Sequence, residues 1–243
     1  MTASSDMQES DKPFSTSFSL FQCGPVKRIP IVCPSIDNLL GGGIENGSVT
    51  LLYGEAGTGK TNICLQMAYN VAKSGKKVAY IDTEGLSPDR IEQIFTDPTY
   101  TKDLLVFSAH SFDEQGYGIT QAARQAESAD AVGLIIVDSM TMFYRLRSDD
   151  SSVRNELTRQ METLLNIARK NDVAVLITSQ VYTNIGTGTF EFLGGHAIQH
   201  NAKTIVRLEK RGSGKRAAVI VKHRSIPEGR SALYRLVQTG VED

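Results

Sequence analysis

No stretch of this chain offers the roughly 20 consecutive apolar residues that a membrane-crossing helix requires, so no membrane partner is expected. The N-terminus has no basic segment leading into an apolar run, so no secretion signal is expected. Cysteine is scarce. Cys23, Cys33 and Cys64 are an odd number without metal-ligand spacing, which argues against a disulfide scaffold and fits a reducing compartment. Neither charge sign is in excess, with a formal net charge of −1, so bulk composition speaks neither for nor against nucleic acid. No internal repeat is found. Together these absences lead to the expectation of a soluble cytoplasmic protein.

Apolar material is sufficient for a full core, since 40% of the 243 residues are hydrophobic. Residues 1–20 are dominated by Ser, Thr and charged residues, which bury too little apolar surface to offset ordering, so a disordered tail is expected there. From about Pro30 onward, apolar runs alternate with amphipathic stretches. Lys77–Ile81, Leu104–Phe107, Gly133–Val137 and Val173–Ile177 are short and nearly continuous, the pattern of central strands covered on both faces. In the longest helical stretch Leu157, Met161, Leu164, Leu165 and Ala168 mark one face, while Arg154, Arg159 and Arg169 lie off it. Such alternation implies an α/β fold with a mainly parallel central sheet flanked by helices. The end reads differently. Thr204–Leu208, Ala217–Val221 and Leu233–Val237 follow one another with only turns between, and Gly212-Ser213-Gly214 suits a hairpin. Antiparallel strands extending one edge of the sheet are expected there, and residues 21–243 are expected to form a single domain.

The most informative passage is Gly54-Glu55-Ala56-Gly57-Thr58-Gly59-Lys60-Thr61, which matches G-x-x-x-x-G-K-[ST] at every fixed position. Glycines let the backbone turn tightly, so that successive N–H groups point at phosphate oxygens. Lys60 supplies a flexible point charge for the β- and γ-phosphates, and the Thr61 hydroxyl can ligate Mg²⁺. Val49–Tyr53 before the loop is rich in strand formers. Ile63, Met67, Ala68 and Val71 recur afterwards at helical spacing, so Lys60, Thr61 and Asn62 open a helix whose positive dipole end faces the anion. A bound nucleoside triphosphate is the expected ligand.

Three further residues close apolar runs. Val137-Asp138 puts a carboxylate where it can hold the Mg²⁺ hydration shell, although an aspartate there also serves as a turn residue. Tyr80-Ile81-Asp82-Thr83-Glu84-Gly85 ends another run with two carboxylates. Glu84 is the candidate for orienting and deprotonating a water, and an acidic turn leading a helix is the plainer reading. Ile177-Thr178-Ser179-Gln180 puts an amide beyond a third strand, where it can sense a γ-phosphate or simply be a loop residue.

In order, G-E-A-G-T-G-K-T, Y-I-D-T-E-G, L-I-I-V-D-S and L-I-T-S-Q-V resemble the core of the RecA/RadA recombinase family, from about Pro34 to the C-terminus. Ser35–Ile44 leads into the loop as in that family, and the similarity is greatest to its archaeal RadB branch. The resemblance implies a RecA-like P-loop ATPase core with ATP and Mg²⁺ as cofactors. It makes Glu84 the catalytic base, alongside Lys60 and Gln180, and assigns Mg²⁺ to Asp138 and Thr61. It makes Gln180 the γ-phosphate sensor opening the second DNA loop, stacks Arg90 on the adenine, and makes Pro227 the cap that a neighbouring subunit lays over the nucleotide. Lys222-His223-Arg224 resembles the paired basic residues that RecA-like and KaiC-like ATPases place across a subunit interface, where positive charge offsets charge developing on the phosphate. A solvated strand end is the other reading of Lys222 and Arg224. The family's N-terminal helical DNA-binding domain is expected to be absent.

The aperiodic segments 139–151 and 181–195 match the family's two DNA-binding loops. Tyr144, Arg145 and Arg147, with Arg154 following, combine cations with a ring, which suits a single strand. In the second loop Thr183, Asn184, Gly186 and Phe190 are the candidates, through backbone, hydroxyl and ring rather than charge. The segment is shorter than in strand-exchange recombinases. The basic residues between Lys203 and Arg235 read either as a phosphate footprint or as gatekeepers on a solvated sheet edge. His196 and His200 are four apart, yet no Glu follows His196 and no third zinc ligand is evident.

The resulting expectation is a recombination and repair accessory protein, nucleoid-associated in the cytoplasm. It binds ATP and DNA, single strands preferred, hydrolyses ATP weakly with DNA dependence, and performs little or no strand exchange. Phe14-Ser-Thr-Ser and Phe18-Ser-Leu-Phe lack the alanine of the family's Phe-x-x-Ala filament plug. The expected partner is therefore the main RadA-type recombinase, with other repair or replication proteins, rather than a long homofilament. The alternative is a KaiC-like or helicase-like ring-forming regulatory ATPase.

Overall fold

The computed structural model describes residues 25–128, 132–146, 150–183 and 190–243, and the tail expected at 1–20 lies outside them. The chain opens with β1 (Arg28–Ile29), α1 (Pro34–Leu39) and β2 (Ile44–Glu45). Alternation then begins with β3 (Val49–Gly54), α2 (Lys60–Lys73), β4 (Lys77–Asp82), α3 (Pro88–Ile94) and β5 (Leu104–Ser108). It continues with α4 (Phe112–Glu127), β6 (Val132–Asp138), α5 (Ser151–Asn171) and β7 (Ala174–Ser179). A small hairpin, β8 (Val181–Thr183) with β9 (Phe190–Phe192), leads to α6 (Gly195–Asn201). The end is β10 (Thr204–Lys210), β11 (Lys215–Lys222), β12 (Ser231–Val237) and β13 (Gly240–Glu242).

Nine strands form one sheet in the order β13-β12-β11-β10-β3-β7-β6-β4-β5. The six from β10 to β5 are mutually parallel. Helices cover both faces, so the two-residue period of each strand feeds two cores. Val78, Tyr80, Leu134 and Ile136 face the layer containing α2, while Ala79, Ile81, Ile135 and Val137 face the layer containing α5. Every residue of β3, β6 and β7 is buried, which is why their sequences read as unbroken apolar runs.

Three expectations need correction. Leu104–Ser108 is an edge strand, with Val106 42% exposed, because nothing pairs beyond it among the described residues. Thr204–Lys210 joins the sheet in parallel beside β3, and only β11, β12 and β13 continue antiparallel. The segment from Val181 is not aperiodic throughout, since Val181–Thr183 pairs with Phe190–Phe192. The phosphate loop, Asp82, Asp138 and Gln180 all fall at the carboxyl ends of adjacent parallel strands, where open α/β sheets place ligands.

Candidate functional site

Between β3 and α2 the loop from Gly54 to Thr61 wraps tightly, and its glycines are required by the geometry. Gly57 and Gly59 have φ of 76° and 100°, a region that side-chain-bearing residues avoid. At Gly54 a Cβ would sit 2.3 Å from the Leu208 carbonyl oxygen on β10. Inside the loop the Lys60 ammonium donates to the carbonyls of Gly54 at 2.8 Å and Glu55 at 3.2 Å. Burial pushes its pKa down, opposed by the charges of Glu84 and Asp138. The loop is braced from the far end of the sequence. Tyr234 on β12 donates its hydroxyl to the Thr58 carbonyl at 2.7 Å, and Leu236 packs against Gly59.

Asp138 is the polar hub below the loop. It is 2% exposed, and its carboxylate accepts hydroxyls from Thr61 at 2.7 Å, Tyr80 at 2.8 Å and Thr178. Burial raises its pKa, and the bonds from Thr178, Thr61 and Tyr80 pull it back down. Thr61 and Asp138, paired from sequence as metal ligands, thus meet directly. Tyr80 and Thr178 were not anticipated. A tyrosine in a fully buried strand needs a partner for its hydroxyl, and this was the one available signal.

Of the two carboxylates ending β4, Asp82 is committed to the turn, accepting the backbone N–H groups of Glu84, Gly85 and Leu86. Thr83 ties this turn to β6 through its hydroxyl, which donates to the Ser139 carbonyl and accepts from the Ser139 N–H. Glu84 is left exposed, its carboxylate accepting the Gln180 side-chain amide at 2.9 Å. Gln180 in turn accepts from Arg145 at 3.1 Å. Gly57, Lys60, Thr61, Asn62, Glu84 and Gln180 line one cleft of about 260 Å³. Hard oxygen donors at Thr61 and Asp138, a loop of inward-turning backbone and a lysine fit a magnesium triphosphate.

A model of the Rad51 family matches residues 25–243. The chain belongs to the Rad51 family. It is 48% identical over 217 residues to a DNA repair and recombination protein RadB of Methanococcoides burtonii, covering 86% of this chain and 95% of that protein. To the RadB of Archaeoglobus fulgidus it is 44% identical over 218 residues, covering 88% and 97%. A crystal structure of the RadB recombinase matches with a TM-score of 0.78 at 35% identity, covering 88% of this chain and 99% of that one. The mainly parallel sheet with its antiparallel C-terminal edge is the RecA-like core of the Rad51 family.

Not every candidate residue lies at the cleft of this Rad51-family chain. Arg90, on α3, is near it, with its guanidinium bonded to the Asn62 side chain at 2.9 Å and to the Val237 and Gln238 carbonyls. Lys222, Arg224 and Pro227 are remote. The Lys215 end of β11 pairs with Arg235 and follows the hairpin beside the loop. Lys222 ends the same eight-residue strand, on the order of 20 Å away. There its ammonium caps α6, donating to the carbonyls of Gln199 at 2.6 Å and Ala202 at 2.9 Å, and Arg224 lies 3.4 Å from buried Glu45. Pro227 is exposed beyond them.

The DNA candidates divide as well. Tyr144 is only 8% exposed and packs in the α5-side core, so its ring anchors the loop root instead of presenting a stacking face. Arg145 and Arg154 are exposed. Thr183 pairs with Phe190 across the small hairpin, while Arg147, Asn184 and Gly186 lie outside the described residues. The basic C-terminal third is not one patch. Arg207, Lys210 and Arg216 flank the phosphate loop, and Lys203, Lys222 and Arg224 lie at the other end of the strands. Several cations are paired within the chain, including Arg207 and Arg211 with Glu209. His196 and His200 are exposed on α6, and no cluster of metal-ligating residues is found among the described residues.

Proposed function

We propose that this chain is an ATP- and DNA-binding accessory protein of recombination and repair, built on residues 21–243 as a single RecA-like ATPase domain. The observation that carries the reading is the direct Thr61–Asp138 hydrogen bond, in a cleft that also holds Lys60, Glu84 and Gln180. The names of the relatives, DNA repair and recombination proteins, support the biological setting. When bound, ATP and Mg²⁺ supply the phosphoryl group and the charge that makes it reactive. The residues of the chain do the rest. Backbone from Gly54 to Gly59 and the N-terminus of α2 receive the phosphates, Lys60 neutralises charge, and Thr61 and Asp138 hold the metal. Glu84 takes the proton of the attacking water, Gln180 senses the γ-phosphate, and the flat guanidinium of Arg90 stacks on the base.

Lys222, Arg224 and Pro227 act on the nucleotide of a neighbouring subunit, because strand length keeps them from their own. Arg145, Arg154 and the paired strands β8 and β9 meet single-stranded DNA at the same carboxyl edge, and Asn184 and Gly186, outside the described residues, belong to the same DNA-binding set. Hydrolysis is weak and DNA-dependent, and strand exchange is slight or absent. The partner is the main RadA-type recombinase, with other repair or replication proteins, in the cytoplasm at the nucleoid. Among the described residues no helix is long and apolar enough to cross a membrane.

The test is ATP turnover and oligonucleotide binding with and without single-stranded DNA across a salt series. DNA binding that weakens steeply with salt is expected; none at low salt removes the DNA part of the reading. The remote position of Lys222 and Arg224 also favours a second reading, a ring-forming regulatory ATPase. Closed rings in electron micrographs with ATP would select it.

A further inference from the structure

Arg145, Gln180 and Glu84 form a chain of side-chain bonds whose direction is forced by their chemistry. A guanidinium can only donate and a carboxylate can only accept. The amide of Gln180 therefore points its oxygen at Arg145 (3.1 Å) and its nitrogen at Glu84 (2.9 Å). The backbone around each member is fixed independently. The Glu84 N–H is held by Asp82, and Thr83 is stitched to Ser139. The Arg145 N–H donates to the Thr141 carbonyl, and the Thr141 hydroxyl meets that of Ser179, next to Gln180. Only the three side chains are left to rearrange.

We propose that Arg145 is a positioning residue that acts through Gln180 to restrain Glu84, a brake on hydrolysis built into the root of the first loop. The proposal rests on the ATPase reading above. With Arg145 in place, the Gln180 amide is held as a donor on Glu84 Oε1, which lowers the basicity of the carboxylate towards a water even though its other lone pairs remain open. Without Arg145, the amide of Gln180 is free to turn its nitrogen away. The brake is modest, because all three groups are at least partly exposed and each bond is worth little against water.

The test compares the native full chain with Arg145→Ala, Arg145→Lys and the double variant Arg145→Ala/Glu84→Gln. Turnover without DNA is expected to rise about three- to tenfold in Arg145→Ala, the rate equivalent of one exposed hydrogen bond. It should return towards native in Arg145→Lys, and vanish in the double variant if the added turnover passes through Glu84. A second readout needs no nucleotide. The side-chain amide resonance of Gln180, identified by its absence in Gln180→Ala, should move to the position of a free amide in Arg145→Ala and stay near native in Arg145→Lys. An Arg145→Ala protein no faster than native, or an unmoved resonance, overturns the brake. Failure of the native chain to bind a fluorescent ATP analogue would instead overturn the ATPase reading itself.

Discussion

The two ends of the parallel strands use charge in opposite ways. At the carboxyl end the ionisable groups are concentrated and strained by burial: Lys60 is pushed towards its neutral form, and so is Asp138, 2% exposed beneath the loop. At the amino end the cations are discharged against the fold itself. Lys222 caps α6, and Arg28 and Arg224 share the buried Glu45. Burial also lowers the pKa of Lys222 and His223 at the amino end, so what sets the carboxyl end apart is a strained cation and a strained carboxylate beside one cleft, where a ligand has something to relieve. Under the proposed function, the other end takes part in the chemistry only when a second copy is brought to it.

The largest effect expected from this contrast is on nucleotide handling. Lys60→Ala should reduce ATP turnover at least about a hundredfold, as loss of a buried phosphate-facing charge does. Lys222→Ala should leave nucleotide affinity unchanged in dilute protein. It should reduce turnover only as the chain concentration is raised enough for copies to meet. Equal losses at all concentrations in a titration of specific activity would erase the distinction between the two ends.

Asp138→Asn gives the next largest effect, and its sign is counterintuitive. Burial raises the folded pKa of Asp138 above the ordinary 3.8, so between those values the folded chain holds a proton that the unfolded chain releases. Stability therefore falls as pH rises through that window, and the deficit persists at neutral pH. The amide removes it, and the hydroxyls of Thr61, Tyr80 and Thr178 can each rotate to accept as well as donate. The ligand-free variant should be more stable than native at pH 7 in chemical denaturation, while losing stabilisation by ATP with Mg²⁺. A variant less stable than native at pH 7 would mean that the three hydroxyls already outweigh desolvation.

Legibility in the sequence followed the same divide. Gly54–Thr61, Glu84, Asp138 and Gln180 could be placed together because each closes an apolar run, and parallel strands bring their carboxyl ends into one line. Tyr234 could not. It lies 176 residues from Thr58, and only the pairing of β12 with β11 delivers its hydroxyl to the loop. Tyr144 was misplaced for a related reason. An aromatic beside arginines reads as a stacking platform, but the apolar root of a loop must also be anchored, and here burial prevailed. Val106 shows the limit of hydrophobic patterning, since an apolar run does not reveal whether a strand has a neighbour on both sides. The small hairpin at Val181 was hidden because three-residue strands are too short for their period to register.

The smallest expected effect belongs to the amino end and should have the opposite pH dependence. His223 accepts the backbone N–H groups of Ser225 and Ile226 on Nδ1, at 3.1 and 3.2 Å, so the neutral ring shapes the loop that carries Pro227. Burial lowers its pKa below the ordinary 6.5, with Glu45 opposing and Arg28 and Arg224 assisting. For a depressed folded pKa the contribution is complete above 6.5 and is lost as pH falls through the lower folded value. Protonation turns Nδ1 into a donor and releases both N–H groups. Amide exchange at Ser225 and Ile226 should therefore accelerate as pH falls below 6.5 and through the lower folded pKa, beyond its intrinsic pH trend, while exchange in β3 and β6 does not. His223→Gln should show fast exchange at both residues at every pH. If instead these two amides stayed protected at pH 5, the loop would be held by its packing against Gly41 through Ile226, and His223 would be a bystander.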